Sequence, residues 1–193
     1  MLGVKPITLA DSTVYISHND PGIDWDKVAD LEYEKPETRA QVDKKLEEIL
    51  RQDPAMDKVL ARRHVTTSVF ASNTTVEIWK NPSLTTRLYI PKDGERLTRF
   101  VLGVIPRSEL ARIHDECKDR KEELHWRCFL HGLRNIENWG SSAKIPTTDV
   151  NGTQYVDRQW LKDTFVRTLG PIADEVGRII WAWNNFGDDD AKK

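Results

Sequence analysis

The chain has 193 residues and a formal net charge of −2 at pH 7, with 38% hydrophobic and 31% charged residues. This length fits one domain, which we predict to span 1–193, and the charge excludes the overall basic surface of a general nucleic-acid-binding protein. No apolar run is long enough for a membrane span and the first residues lack the pattern of a signal peptide, so we expect a cytoplasmic protein without nucleic-acid or membrane partners.

The N-terminal part of the chain is predicted to be irregular at first and helical afterwards. Residues 1–35 show only a short strand at 13–17 and an aspartate, Asp24, that can cap a helical turn. From 36 to 63, apolar residues recur at spacings of three and four, which is typical of a helix packed on one side. Pro54 interrupts this stripe, so we expect two helices in this region.

The middle of the chain is predicted to form a small antiparallel β-meander over 64–106. Residues 64–71 and 75–79 are rich in Val, Thr and aromatic residues, and residues 84–90 alternate in polarity. A further strand is expected over 97–105, because turn-forming residues separate these runs. A sheet this small needs a helix packed on one face. The predicted fold class is therefore α+β, with the meander flanked by an N-terminal helical segment and a C-terminal helical region.

The region 107–186 is predicted to be helical, with one hairpin near 147–156. Asn151-Gly152 lies between extended residues, and both residues tolerate the positive φ of a type I′ turn. Gly170-Pro171 is expected to end one helix and to begin the next. Residues 187–193 are acidic and polar, and they are interpreted as a frayed, solvated tail rather than a cation site.

One helix is predicted to run from Ser108, a good N-cap residue, to about Asn138. On such a helix Cys117 and Cys128 lie within a narrow apolar arc, where a free cysteine behaves as a small hydrophobic residue. Eleven residues of helix separate the two sulfur-bearing positions by about 16 Å, which excludes a disulfide. Both cysteines are therefore predicted to lie in the core.

The same segment holds the residues best suited to metal or thiol chemistry. The spacing H-x-x-C occurs twice, and His131 follows the second copy. One zinc ion needs four ligands within about 2.0–2.3 Å of one point, but an unbroken helix keeps the two copies three turns apart. We therefore expect no metal, no cofactor and no catalytic residue. The alternative is a small zinc- or thiol-dependent enzyme that uses the cluster, namely His114, Cys117, His125 and Cys128, extending to His131.

Aromatic residues of the C-terminal part are the candidates for a partner surface. Trp183 continues the buried stripe of the last helix, so Trp181 is expected to point elsewhere. It either packs inside the protein, which we favour, or anchors a partner. The candidate partner-binding residues are Trp181, Trp139 and Phe186.

Three motifs follow one another between residues 96 and 184. They are TRFVL at 98–102, GLRNIE at 132–137, and a helix from LGP at 169–171 to Ile180. In this order they resemble the tail assembly chaperones of tailed phages and related small morphogenesis proteins. The resemblance implies a non-enzymatic protein that holds the tape-measure protein in the host cytoplasm while tail-tube subunits polymerise around it, or a phage structural protein. The partner we expect is a tape-measure or tail-tube protein, and self-association into a homo-oligomer is a further alternative. A protein-binding regulator is a further interpretation.

Overall fold

The computed structural model describes residues 11–82, 88–140, 144–168 and 170–189, and these residues form an α+β fold, as predicted. The helices are α1 (Trp25–Glu34), α2 (Pro36–Gln52), α3 (Lys58–Lys80), α4 (Arg107–Cys117), α5 (Lys121–Gly132), α6 (Arg158–Thr168) and α7 (Gly170–Asp189). The strands are β1 (Ser12–Tyr15), β2 (Arg99–Gly103), β3 (Leu133–Glu137), β4 (Thr147–Val150) and β5 (Thr153–Val156). No helix in the described part of the chain is long and apolar enough to cross a membrane.

The larger sheet joins three strands that are far apart in the sequence. It is antiparallel in the order β1-β2-β3, so that Tyr15 lies opposite Phe100, which lies opposite Ile136. All three of these side chains are buried in the main core. The strands predicted near residues 13–17 and 97–105 are thus confirmed, and both belong to one sheet whose third strand was predicted to be helical.

The strands predicted at 64–71 and 75–79 are wrong, because α3 covers both ranges. Val65 and Val69 are four residues apart, so they lie on one face of the helix, where they pack with Val42 of α2. Burial of this face against a neighbouring helix outweighs the β-propensity of valine, which reflects how well a side chain fits its surroundings more than the backbone itself.

Threonine is also accommodated within α3. The Oγ1 atoms of Thr66 and Thr67 donate hydrogen bonds to the carbonyl oxygens four residues earlier, at 2.8 and 3.0 Å. These bonds satisfy the hydroxyl groups inside the helix, so a Thr-rich run does not have to be a strand. The strand predicted at 84–90 falls largely on residues 83–87, which lie outside the described residues.

The helix predicted from Ser108 to Asn138 is not continuous. It begins one residue earlier, after Pro106, and it breaks after Cys117, where Lys118 adopts a φ of +36°. The amide of Lys118 still donates to the carbonyl oxygen of His114 at 2.8 Å, and α5 begins three residues further on. Beyond α5 the chain enters β3, so the helical prediction for residues 133–137 is wrong.

The predicted hairpin at residues 147–156 is confirmed as β4 and β5. Asn151 and Gly152 form its turn with φ values of +55° and +79°, and the amide of Gly152 donates to Asp149 Oδ1 at 2.9 Å. The hairpin is fastened to the larger sheet by Tyr155, whose hydroxyl donates to the carbonyl oxygen of Val104 at 3.0 Å. This places β5 beside β3.

The main core lies between the larger sheet and helices α4 to α7. Helices α5 and α7 make the most extensive contact of any two helices among the described residues. Their backbones approach closely at Gly177, where a Cβ atom would overlap the carbonyl oxygen of His125. At the other end of the contact, a Cβ atom on Gly132 would overlap the side chain of Ile180. Glycine at both positions permits the close approach.

Candidate functional site

Both cysteines are buried in the main core, as predicted. Burial raises the pKa of Cys128 to about 12 and also raises the pKa of Cys117. The thiolate is the reactive and metal-binding form of cysteine, and these thiols stay protonated at neutral pH. The burial gives no support to a thiol-dependent enzyme, even though the helix that was expected to separate the two residues is broken.

Two histidines of the same segment pair with carboxylates on two different helices. His125 Nδ1 lies 2.9 Å from Asp174 Oδ1 on α7, whereas His131 Nδ1 lies 2.6 Å from Glu109 Oε1 on α4. Among the residues that the structure describes, no group of three or more His, Cys, Asp or Glu side chains is placed to hold a metal ion.

The environment of His131 favours its neutral form. Burial, together with the positive charge of Arg158, lowers the pKa of His131 to about 4, although Glu109 acts in the opposite direction. Glu109 is itself held ionised, because its hydrogen bonds with Arg112 lower the pKa of the carboxyl. The pair therefore consists of a neutral imidazole on α5 and a carboxylate on α4 at pH 7.

The candidate partner-binding tryptophans are half-buried. Trp181 stacks on His114 with ring centroids 5.6 Å apart and planes 3° from parallel, so it packs internally. Trp139 packs on Phe165 with centroids 5.0 Å apart. The side chain of Phe186 lies outside the described residues. The role of these three residues in partner binding stays a prediction.

Sequence reasoning missed the large apolar side chains that the structure exposes most. Helices α1 and α3 are joined by ion pairs from Arg62 to Asp30 at 3.3 Å and from Arg63 to Asp26 at 2.9 Å. The Arg62–Asp30 pair joins the part of α1 that carries Leu31 to the first turns of α3. We use the name α1–α3 apolar surface for the exposed apolar residues of α1, of the first turn of α3 and of the turn before α3: Leu31 (53% exposed), Met56 (40%), Val59 (52%) and Leu60 (64%).

A buried carboxylate links α7 to the segment that follows β1. Glu175 is 5% exposed, and its Oε2 accepts hydrogen bonds from Ser17 Oγ at 2.6 Å and from Asn19 Nδ2 at 2.8 Å. Its Oε1 accepts from the backbone amide of His18 at 2.7 Å and from the hydroxyl of Tyr15. Four donors compensate for the loss of hydration that burial of a carboxylate entails.

Aromatic rings extend this network. The ring of His18 meets the hydroxyl of Tyr89 and stacks on Trp25, with centroids 6.5 Å apart. Burial lowers the pKa of His18 and raises the pKa of Tyr89. Burial of Tyr15 raises the pKa of its hydroxyl, and the neighbouring carboxylate of Glu175 raises it further. All these groups are held in their uncharged forms around one carboxylate, so the network fixes the N-terminal segment on α7.

An open cleft of about 1030 Å³ lies between β3 and the β4–β5 hairpin. Three cationic side chains from separate parts of the chain, Arg96, Arg134 and Lys144, line it, and Trp139 is part of its wall. No carboxylate occurs among its lining residues in the described part of the chain. The remaining lining residues are Asn135, Ile136, Asn138, Gly140, Ile145, Thr147 and Gln154.

The side chain of Arg134 is held in a fixed position at this cleft. It lies across Gly103 of the neighbouring strand, where a Cβ atom would overlap it. Its guanidinium also sits over the ring of Tyr155, 5.0 Å from the centroid. Glycine at one side and an aromatic ring at the other thus position this cation, and the aromatic contact adds an attraction of its own.

No protein-family model, curated protein or solved structure matches this chain. These comparisons therefore assign no function to any surface of the chain.

Proposed function

We propose that this chain is a non-enzymatic assembly protein of a tailed phage, which binds the tape-measure protein in the host cytoplasm. The proposal combines the resemblance of the motifs between residues 96 and 184 with one observation, the α1–α3 apolar surface. Four large apolar side chains are exposed there, on α1, on the first turn of α3 and in the turn that precedes α3. A long apolar helix is a suitable partner, because helices bury apolar stripes against helical grooves.

The charges near the surface suit such a helix. Asp26 and Asp30 are matched by Arg63 and Arg62, so the charged side chains beside the apolar residues neutralise one another. An apolar partner then does not have to bury these four charges unpaired, which would oppose binding. Large apolar side chains clustered at a surface are typical of interaction sites rather than of solvent-facing helices.

The residues best suited to catalysis make internal contacts instead. Both cysteines are buried, His114 stacks on a tryptophan, and the two remaining histidines of that segment contact carboxylates. The zinc- or thiol-dependent alternative predicts bound zinc or a reactive thiol in the purified protein. Elemental analysis and thiol titration of the native chain separate this alternative from the proposal.

The proposal is tested by co-expression with the tape-measure protein encoded in the same tail gene cluster. The wild-type chain is expected to keep that protein soluble and to co-purify with it. Leu60→Asp is expected to abolish both effects, because it places a charge within the apolar contact. Asn73→Asp adds the same charge at an exposed position of the same helix and serves as the matched control. Equal behaviour of the two variants would contradict the proposal.

A further inference from the structure

We propose that the cleft between β3 and the β4–β5 hairpin binds nucleotides, with a phosphate held by its cations and a base against Trp139. Acidic residues outnumber basic ones in the whole chain, 31 to 29. The cleft reverses this balance, because three cations and no carboxylate line it in the described part of the chain. A cleft of about 1030 Å³ is large enough for a ligand of nucleotide size.

The cations are suited to a phosphate group. Arg134 is positioned by Gly103 and Tyr155, so its planar guanidinium is oriented before a ligand arrives. Guanidinium groups bind phosphate oxygens through two parallel hydrogen bonds, and less affinity is lost when the donor is already ordered. Arg96 and Lys144 are exposed and line the same cleft, which adds two further positive charges.

The position of Trp139 suits a base. Its ring packs on Phe165, with centroids 5.0 Å apart and planes 30° from parallel, and Trp139 also lines the cleft. The residue before it, Asn138, has a φ of +59° and donates through Nδ2 to the carbonyl oxygen of Leu97 at 3.0 Å. This bond holds the turn that carries Trp139 next to the segment that carries Arg96.

Amide side chains complete the chemistry. Asn135 and Gln154 line the cleft, and Asn135 offers both a donor and an acceptor, as the edge of a base requires. Gln154 Nε2 donates to Asp149 Oδ2 at 3.2 Å, so Gln154 contributes its carbonyl oxygen. Aromatic stacking combined with cations along a groove is the recognition mode of single-stranded nucleic acid and of free nucleotides. An acidic peptide would use the cations but has no need of the tryptophan or the amides, so nucleotides fit the lining better.

The test uses the full chain with two nucleotide probes, ATP and a labelled single-stranded DNA of about 12 nucleotides, and a polyglutamate peptide of similar charge. Binding is measured by calorimetry for ATP and by fluorescence anisotropy for the DNA and the peptide. Binding of ATP alone identifies a mononucleotide as the ligand, and preference for the DNA identifies a single strand. Binding of polyglutamate in preference to both probes, or of none of the three, would overturn the proposal.

Two double variants separate the effect of the cations at the cleft from the effect of overall charge. Arg96→Ala with Lys144→Ala removes two exposed cations of the cleft, and Lys44→Ala with Lys45→Ala removes two exposed cations of α2. The first pair is expected to weaken nucleotide binding about tenfold or more and to flatten its salt dependence, whereas the second leaves both unchanged. Equal weakening by the two pairs would show that only overall charge matters and would overturn the site.

A third variant tests the stacking contact. Trp139→Leu is expected to weaken binding about fivefold or more while the salt dependence stays that of the wild type, because the cations remain in place. Circular dichroism verifies that the variant is folded. A folded Trp139→Leu protein with wild-type affinity would remove the base from the proposal and overturn it as a nucleotide site.

Discussion

Replacement of Glu175 by alanine is expected to destabilise the fold far more than any exposed carboxylate. The side chain accepts hydrogen bonds from Tyr15, Ser17, the His18 amide and Asn19, and it is 5% exposed. Hydrogen bonds to a charged group contribute about 1.5–3 kcal/mol each, and the cost of burying the carboxylate offsets part of their sum. Removal of the carboxylate leaves neutral donors without an acceptor, at a cost of about 1–3 kcal/mol for each one that stays buried, so we expect about 3–5 kcal/mol for Glu175→Ala.

Glutamine at the same position separates the effect of charge from the effect of hydrogen bonding. Its carbonyl oxygen can replace Oε1 and keep the bonds from Tyr15 and from the His18 amide. Its NH2 group then faces Ser17, whose hydroxyl is able to accept as well as donate. Since most of the bonds survive in neutral form, we expect Glu175→Gln to cost about 1–2 kcal/mol.

The free energies of unfolding are measured by urea titration followed by tryptophan fluorescence. Asp174→Ala is the matched control. It removes a carboxylate from the position next to Glu175 on α7, and the Asp174 side chain is 52% exposed. An exposed pair of this kind contributes about 0–1 kcal/mol. If Glu175→Ala costs no more than Asp174→Ala, the network does not fix the N-terminal segment, and the reasoning from burial fails.

Three further predictions concern the core. In a urea titration, Gly177→Ala is expected to lower the free energy of unfolding by about 1–3 kcal/mol, because the added Cβ would overlap the backbone of α5. Gly170→Ala is the control, since the space around its added Cβ is open, and it should change the free energy of unfolding by less than about 0.5 kcal/mol. Equal costs would contradict the close helix approach. Burial lowers the pKa of His131 to about 4, so the unfolded chain binds this proton before the folded chain does as the pH falls, and the stability that is present above pH 6.5 should decrease toward pH 4 by at most about 3 kcal/mol. In urea titrations across this pH range, His131→Gln should make the decrease smaller. An identical dependence of stability on pH in both proteins would refute the linkage. Cys128→Ser should lower the free energy of unfolding by about 1–3 kcal/mol and should lower the melting temperature. In the wild-type chain, both thiols should stay unreactive toward a thiol reagent at pH 8 until urea unfolds the protein. Rapid reaction of the folded protein would contradict their burial.

The features that sequence predicted correctly depend on local physical signals. Asn151-Gly152 adopts the positive φ values that only a few residue types tolerate, so the hairpin could be predicted from two residues. Asp24 accepts a backbone hydrogen bond from Lys27 at the start of α1, as a helix cap does. The charged helix α2 carries a regular apolar stripe and was predicted almost to its ends.

The errors arise where contacts between distant residues decide the structure. The residues of α3 favour strands by propensity, but their apolar side chains find helical partners in α2. Lys118 adopts a positive φ that lysine rarely shows, and the helices on either side of this break both contribute side chains to the main core. Leu133 begins a strand because β2 pairs with the residues that follow α5. The residues around Leu133 do not indicate this pairing, since β2 is distant in the sequence.

The candidate sites divide in the same way. Burial of Cys117 and Cys128 could be predicted because each lies in the apolar arc of its own helix, and the break between the helices does not change this. The cleft could not be predicted, since Arg96, Arg134 and Lys144 come from three separate segments. The exposure of Val59 and Leu60 was missed because an apolar stripe at helical spacing ordinarily faces a core.

Hydrogen–deuterium exchange of this chain in complex with the tape-measure protein tests the proposed function most directly. If the α1–α3 apolar surface is the binding site, protection should appear in the peptides that contain Leu31 and Val59–Leu60, and exchange in α4 and α5 should stay as in the free protein. Protection confined to α4 and α5, or no change on mixing, would contradict the account.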